Sequence, residues 1–92
     1  MEGAVRVRIE GRVQGVGYRA WLERRASAAG LRGWARNRRD GSVEALLIGR
    51  WDAVMMVVEA CRQGPRLAAV TALATTSEED DGSSGFRTLP TE

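Results

Sequence analysis

The sequence contains no histidine and no lysine, and its 92 residues include a single cysteine. That residue, Cys61, cannot form a disulfide within the chain, which excludes a disulfide-stabilised scaffold. Without histidine, and with one thiol, the usual ligands of a structural zinc site are missing, so we expect no metal. Histidine is also the commonest general base of enzymes. The chain lacks that residue as a candidate base.

Long apolar runs are missing as well. No run approaches the roughly 18 residues that a membrane helix needs, and the first residues form no apolar signal segment. We therefore expect no membrane partner and a cytoplasmic location. Ninety-two residues suffice for one modest core, so we expect a single domain over residues 1–92 and a monomer as the default.

The charge is unevenly distributed along the chain. All fourteen basic residues are arginines; residues 1–39 carry a net charge of +7, whereas residues 40–92 carry −5. A basic first half favours an anionic ligand. It is equally compatible with a solvated arginine surface, so charge alone does not decide between a binding site and an ordinary exterior.

Periodicity predicts the element order βαββαβ, followed by a short edge strand. The predicted elements are a strand at 5–10, a helix at 18–29, strands at 31–39 and 43–48, a helix from about 52 to 63, and strands at 68–76 and 86–89. This order is typical of an α+β, ferredoxin-like split βαβ sandwich, with an antiparallel sheet and two helices on one face. We expect the second strand to lie beside the first, and the polar residues 77–85 to form a mobile acidic loop.

Between the first strand and the first helix lies a stretch with three glycines and an arginine near each end, 11–19. Such a loop can turn several backbone N–H groups toward one point and bind an anion. It is not a Walker A loop, because no Gly-Lys-Ser/Thr follows the glycines. It contains a literal G-x-G-x-x-A, but the following strand and tight hairpin do not continue a dinucleotide-binding βαβ unit.

Two segments, GRVQGVGYR at 11–19 and GWARNRRDGSVEALLIG at 33–49, resemble the two signatures of the acylphosphatase family. Their spacing, the later GPRLAAV at 64–70 and the chain length also fit. The resemblance implies a ferredoxin-like fold and hydrolysis of the carboxyl-phosphate bond of acyl phosphates, without a metal or other cofactor. It implies that Arg19 binds the phosphate and that Asn37 positions the attacking water.

The chemistry of these residue types suits that reaction. A carboxylate is a good leaving group, so the remaining tasks are to orient water and to stabilise charge on the phosphoryl oxygens. Arg19 offers a planar fork that can bind two of those oxygens. The Asn37 carboxamide can accept a hydrogen bond from water and donate one to phosphate. Further backbone donors are predicted at the phosphate loop, namely Gln14, Gly15, Val16, Gly17 and Tyr18.

Two non-catalytic alternatives share the element order. An RNA-binding module would need exposed aromatic residues on its central strands for base stacking. The strands at 5–10 and 43–48 contain none, so we expect no nucleic-acid partner. A module that only binds phosphate or an acidic metabolite would need Arg19 but not Asn37. We therefore expect a small acyl phosphate as the partner.

Overall fold

A computed structural model describes all 92 residues and contains five strands and two helices. The elements are β1 (Glu2–Arg12), α1 (Tyr18–Ala28), β2 (Arg32–Asn37), β3 (Val43–Arg50), α2 (Trp51–Cys61), β4 (Ala69–Ser77) and β5 (Phe86–Thr88). The predicted order is confirmed. Strand β1 is longer than the predicted 5–10, because backbone pairing with β3 and β4 continues at both ends, where the sequence no longer alternates.

The sheet has the strand order β4-β1-β3-β2-β5. Its first four strands pair antiparallel, but β5 pairs parallel with β2. The expectation of a purely antiparallel sheet is therefore wrong at this edge. After β4, the chain crosses to the far side of the sheet, and there it runs in the direction of β2.

The position of β2 also differs from the expectation, because β2 does not lie beside β1. Strand β3 pairs with both and separates them. A helical crossover joins β1 and β2 as parallel strands, and the gap between them accepts an antiparallel strand. Residues on β1 and β2 therefore meet only beyond the ends of β3.

Both helices pack on the same face of the sheet, as predicted. One cluster of 17 buried residues joins them to the strands, with Val7 and Ile9 of β1 beside Leu22 of α1 and Val58 of α2. The apolar side chains of β1 therefore face the helices, and the arginines that alternate with them face the opposite side of the sheet. Neither helix has the length and apolar content needed to cross a membrane.

The outer face of the sheet pairs its arginines with acidic residues. Glu44, on β3, accepts hydrogen bonds from Arg6 at 3.2 Å, Arg36 at 3.0 Å and Arg38 at 3.3 Å. Much of the basic first half is therefore neutralised by the acidic second half. This arrangement supports the interpretation of these arginines as surface rather than as ligands of an anion.

The acidic residues 77–85 are tied to β2. Asp80 forms an ion pair with Arg32, and Asp81 accepts a hydrogen bond from the indole N–H of Trp34 at 3.2 Å. These contacts hold the segment next to β2, the strand with which β5 then pairs. The predicted mobility of the loop stays a prediction.

Candidate active site

A cavity of about 300 Å³ opens at the end of the sheet where β1 leads into α1. Its lining combines the β1–α1 loop and the first turn of α1 with the ends of β2 and β5. The lining residues are Val13, Gln14, Gly15, Gly17, Tyr18, Arg19, Ala20, Asn37 and Thr88. Arg19 of α1 and Asn37 of β2 thus line one cavity, although β3 separates β2 from β1, the strand that leads into α1.

The loop conformation depends on two glycines. Gly15 and Gly17 have φ angles of 74° and 78°, and a Cβ atom at either would meet nothing within 4 Å. Glycine is therefore favoured at both positions because the backbone is left-handed, and not because a side chain would clash. Gly17 is also the N-cap of α1, so the loop turns directly into the helix.

The N-terminus of α1 faces this cavity. Its first residues, Tyr18, Arg19 and Ala20, line the cavity, and the first N–H bonded within the helix is that of Trp21, to Gly17 at 3.0 Å. The unpaired N–H groups of a first helical turn favour an anion. No acidic side chain occupies this turn, so nothing in the helix competes with a phosphate.

The Arg19 side chain is half-buried and held by the C-terminal segment. Its Nη1 donates to the carbonyl of Leu89 at 3.2 Å. One donor of the guanidinium is thereby used to fix the group, and its other donors remain for a ligand. The sequence did not indicate this contact, because residue 89 was expected only to end a short edge strand.

Asn37 is the last residue of β2 and is also half-buried. It pairs with Val43 of β3, and its carbonyl accepts the N–H of Glu92 at 3.0 Å. The backbone of Asn37 is therefore held from both sides. This leaves the carboxamide to reach the cavity as a neutral group that both donates and accepts hydrogen bonds.

The phenol hydroxyl of Tyr18 is bonded inside the core and not at the cavity. The ring is buried, and the hydroxyl donates to the carbonyl of Cys61 at 2.6 Å, inside the core. Burial raises the pKa of Tyr18 well above its usual range and raises the pKa of the buried Cys61 thiol to about 11. Neither group is ionised at neutral pH, so neither supplies a nucleophile.

The structure does not place every predicted loop residue at the cavity. Val16 is not part of the lining, and its side chain packs against the core; a donor role for its N–H stays a prediction. The sequence missed Val13, Ala20 and Thr88. Thr88 reaches the site because β5 pairs with β2 in a register that places it opposite Ala35, and no local pattern predicts that pairing.

The carboxylates nearest in sequence to Asn37 have other partners. Asp40 accepts hydrogen bonds from the backbone and hydroxyl of Ser42 and pairs with Arg8. These hydrogen bonds hold the pKa of Asp40 well below its usual range. No cluster of acidic or thiol side chains could hold a metal ion. The cavity lining therefore includes the guanidinium of Arg19 and two carboxamide residues, Gln14 and Asn37, but no acidic residue.

Comparisons with known proteins match the chain to a family model, to curated relatives and to solved structures. The family model described as "Acylphosphatase" matches residues 5–88. An acylphosphatase of Rhodopseudomonas palustris strain BisB18 is 48% identical over 95 residues, covering 92% of this chain and 92% of its own. One from strain BisB5 is 62% identical over 64 residues, 70% of this chain and 65% of the relative. The crystal structure of acylphosphatase from Bacillus subtilis superposes with a TM-score of 0.91 at 36% identity, covering 97% of this chain and 99% of that one.

Proposed function

The chain belongs to the acylphosphatase family, and from this membership we propose how its residues hydrolyse the carboxyl-phosphate bond of an acyl phosphate. The reaction yields a carboxylate and inorganic phosphate. The observation that carries the proposal is the meeting of Arg19, Asn37 and the N-terminus of α1 at one cavity. The family assignment favours the enzyme over the RNA-binding and metabolite-binding alternatives.

The phosphoryl group binds to the loop 14–18 and Arg19. Backbone N–H groups and the helix N-terminus surround its oxygens, and the guanidinium binds two of them in a planar fork. We infer that these donors already face the cavity in the free enzyme, so charge that develops on the oxygens is stabilised without reorganisation. Leu89 fixes the orientation of the fork through its carbonyl.

Water attacks phosphorus directly, and Asn37 orients it. The carboxamide accepts a hydrogen bond from the water and donates one to a phosphoryl oxygen, which aligns the water opposite the carboxylate leaving group. The substrate phosphate takes up the proton of the water, because the lining holds no carboxylate, histidine or thiol. Phosphoryl transfer of this kind depends mainly on positioning and electrostatics.

The assay is hydrolysis of a simple aryl acyl phosphate by the purified chain in the presence of EDTA. We expect turnover that does not depend on added metal. Arg19→Ala and Asn37→Ala should each lower kcat by about 10²–10³, the usual effect of removing one transition-state contact. Arg19→Lys should restore little of the rate, because an ammonium cannot replace a bidentate fork.

Arg24→Ala is the matched control, because Arg24 is an exposed arginine on the same helix and is not part of the lining. Its kcat should stay within twofold of the parent. Parent rates in both Arg19→Ala and Asn37→Ala would refute the assigned roles. Dependence on metal would refute the proposed direct attack.

We also propose that the chain acts as a monomer in the cytoplasm. One chain supplies the complete cavity lining, and its only cysteine is buried as a free thiol, which suits a reducing compartment. Sedimentation equilibrium of the active protein and fractionation of the producing cells test the two statements. A dimeric mass, or recovery outside the cytoplasmic fraction, would contradict them.

A further inference from the structure

The side chain of Gln14 extends from the phosphate loop to the hairpin between β2 and β3. Its Nε2 donates to the carbonyl of Arg38 at 2.7 Å and to the carbonyl of Ser42 at 2.9 Å. Both partners are acceptors, which requires the NH2 end of the carboxamide to face them. Both protons of that group are used, so it has none left for a substrate.

The hairpin that receives these bonds is already closed on itself. The N–H of Arg38 donates to Ser42 at 2.8 Å, and the N–H of Gly41 donates to Arg38 at 3.1 Å. Asp40 accepts the backbone N–H of Ser42 at 2.9 Å and its hydroxyl at 2.7 Å. Gln14 is therefore attached to a hairpin whose own groups are hydrogen-bonded to one another.

The hydrogen bonds of Gln14 join the two parts of the cavity lining, the phosphate loop and the end of β2 with Asn37. Asn37 immediately precedes Arg38, whereas the phosphate loop follows β1. Strand β3 separates the two strands, so no backbone ladder joins them directly. The two bonds of Gln14 are the only hydrogen bonds between the loop 13–17 and the hairpin 38–42.

We propose that Gln14 is a positioning residue, whose carboxamide sets the phosphate loop at a fixed distance from Asn37. The inference rests on the proposed roles of Arg19 and Asn37. With the bonds in place, phosphorus and the oriented water stay in line. A displacement of about 1 Å between reacting groups can cost 10²-fold in rate, while the loop can still bind phosphate through its own donors.

The first test separates catalysis from binding. In Gln14→Leu, which keeps the side-chain bulk and removes the donors, kcat should fall by about 10- to 100-fold. The inhibition constant of inorganic phosphate should change by less than about threefold, because Arg19 and the loop N–H groups are retained. A kcat within twofold of the parent would overturn the inference, and so would equal losses in kcat and in phosphate affinity.

Two controls accompany Gln14→Leu. Gln63→Leu makes the same chemical change at an exposed residue after α2 and should leave both constants unchanged. Asp81→Ala removes an anchor of the loop 77–85 to Trp34, outside the cavity lining. It should lower the melting temperature without lowering kcat, which shows that lost stability alone does not mimic the effect.

A double-mutant cycle tests whether Gln14 acts through Asn37. If it does, Gln14→Leu should lower kcat by less than about threefold in the Asn37→Ala background, because there is no longer an oriented water to misalign. Multiplicative effects would overturn the inference while leaving the role of Asn37 intact. A parent rate in Asn37→Ala alone would instead refute the proposed function.

The unmodified protein supplies a measurement that does not depend on the folding of any variant. In NMR spectra, the side-chain NH2 protons of Gln14 should exchange with solvent at least tenfold more slowly than those of exposed Gln63. Scalar couplings from Gln14 to the carbonyl carbons of Arg38 and Ser42 should be detectable. Exchange as fast as at Gln63 would overturn the inference.

Discussion

At the scale of single residues, Gly17 joins backbone conformation to activity. Its φ of 78° lies in the left-handed region, with open space where a Cβ would be. Gly17→Ala should cost roughly 1–2 kcal/mol if the loop keeps this conformation. A loop that relaxes instead loses its aligned N–H groups, so we expect kcat/KM to fall at least tenfold, measured by steady-state kinetics.

Gly82→Ala is the matched control for this substitution. Gly82 has a φ of 80° and equally open surroundings, but it lies in the loop 77–85, outside the cavity lining. The two variants should lose similar stability in urea unfolding, while only Gly17→Ala loses activity. Equal activities would show that the phosphate loop tolerates a changed backbone.

Without the resemblance to a family, the sequence predicts that residues share a site only where they lie close together in the chain. Arg19 and the glycines could be predicted, because a strand, a glycine-rich turn and a helix follow one another directly. The hydrogen bonds that hold the side chains of Arg19 and Gln14 in place could not be predicted. The contacts of Arg19 with Leu89 and of Gln14 with Ser42 join positions far apart in the chain, and only the assembled sheet brings them together.

At the scale of elements, the C-terminal segment after β5 is part of the site. Leu89 binds Arg19 through its carbonyl, its N–H donates to Ala35 at 2.8 Å, and the N–H of Glu92 donates to Asn37. Deletion of residues 89–92 should lower kcat/KM at least tenfold, because Arg19 and Asn37, the residues proposed to act in catalysis, each lose a backbone partner. Kinetics of the folded fraction, determined by circular dichroism, measure this effect.

Glu92→Gln is the control for the deletion, because it keeps the backbone and removes only the ion pair with Arg36 at 3.0 Å. An exposed pair of this kind contributes about 0–1 kcal/mol, so activity should stay within twofold of the parent. Full activity of the truncated chain would show that the segment has no part in positioning Arg19 and Asn37.

The edge strand β5 and the position of β2 show which features of the strands could not be predicted from the sequence. Periodicity, composition and the positions of turn residues predicted all five strands and both helices. They could not give the direction of β5, since three residues, Phe86–Thr88, carry too little pattern to fix a partner. The placement of β2 beside β1 was wrong for a related reason: strand neighbours depend on the crossover and not on the sequence of either strand.

At the scale of the whole molecule, the site is stabilised by the core beneath it. Tyr18 begins the helix at the cavity, and its hydroxyl bonds to the carbonyl of Cys61 at the end of α2. One buried residue thereby connects the first turn of α1, at the cavity, with the end of the second helix. Conditions that charge this region of the core should unfold the protein rather than alter its chemistry.

Alkaline pH is such a condition. Burial raises the pKa of Cys61 from 9.0 to about 11, so between these values the unfolded chain releases a proton that the folded chain retains. The free energy of unfolding should therefore be unaffected below about pH 9. The contribution of Cys61 should then lower it by up to about 1.4 kcal/mol per pH unit, about 3 kcal/mol in all, as pH rises to 11. Urea unfolding between pH 8 and 11 measures this dependence.

Cys61→Ala removes the ionisable group, and its stability should decline less steeply between pH 9 and 11 than that of the parent. Val57→Ala is the matched control, because Val57 is a buried residue of the same helix. Its stability curve should lie below that of the parent and run parallel to it. Tyr18, whose pKa is also raised by burial, adds a further loss at the highest pH in all three proteins. A decline in Cys61→Ala as steep as in the parent would show that the buried thiol does not cause the alkaline sensitivity.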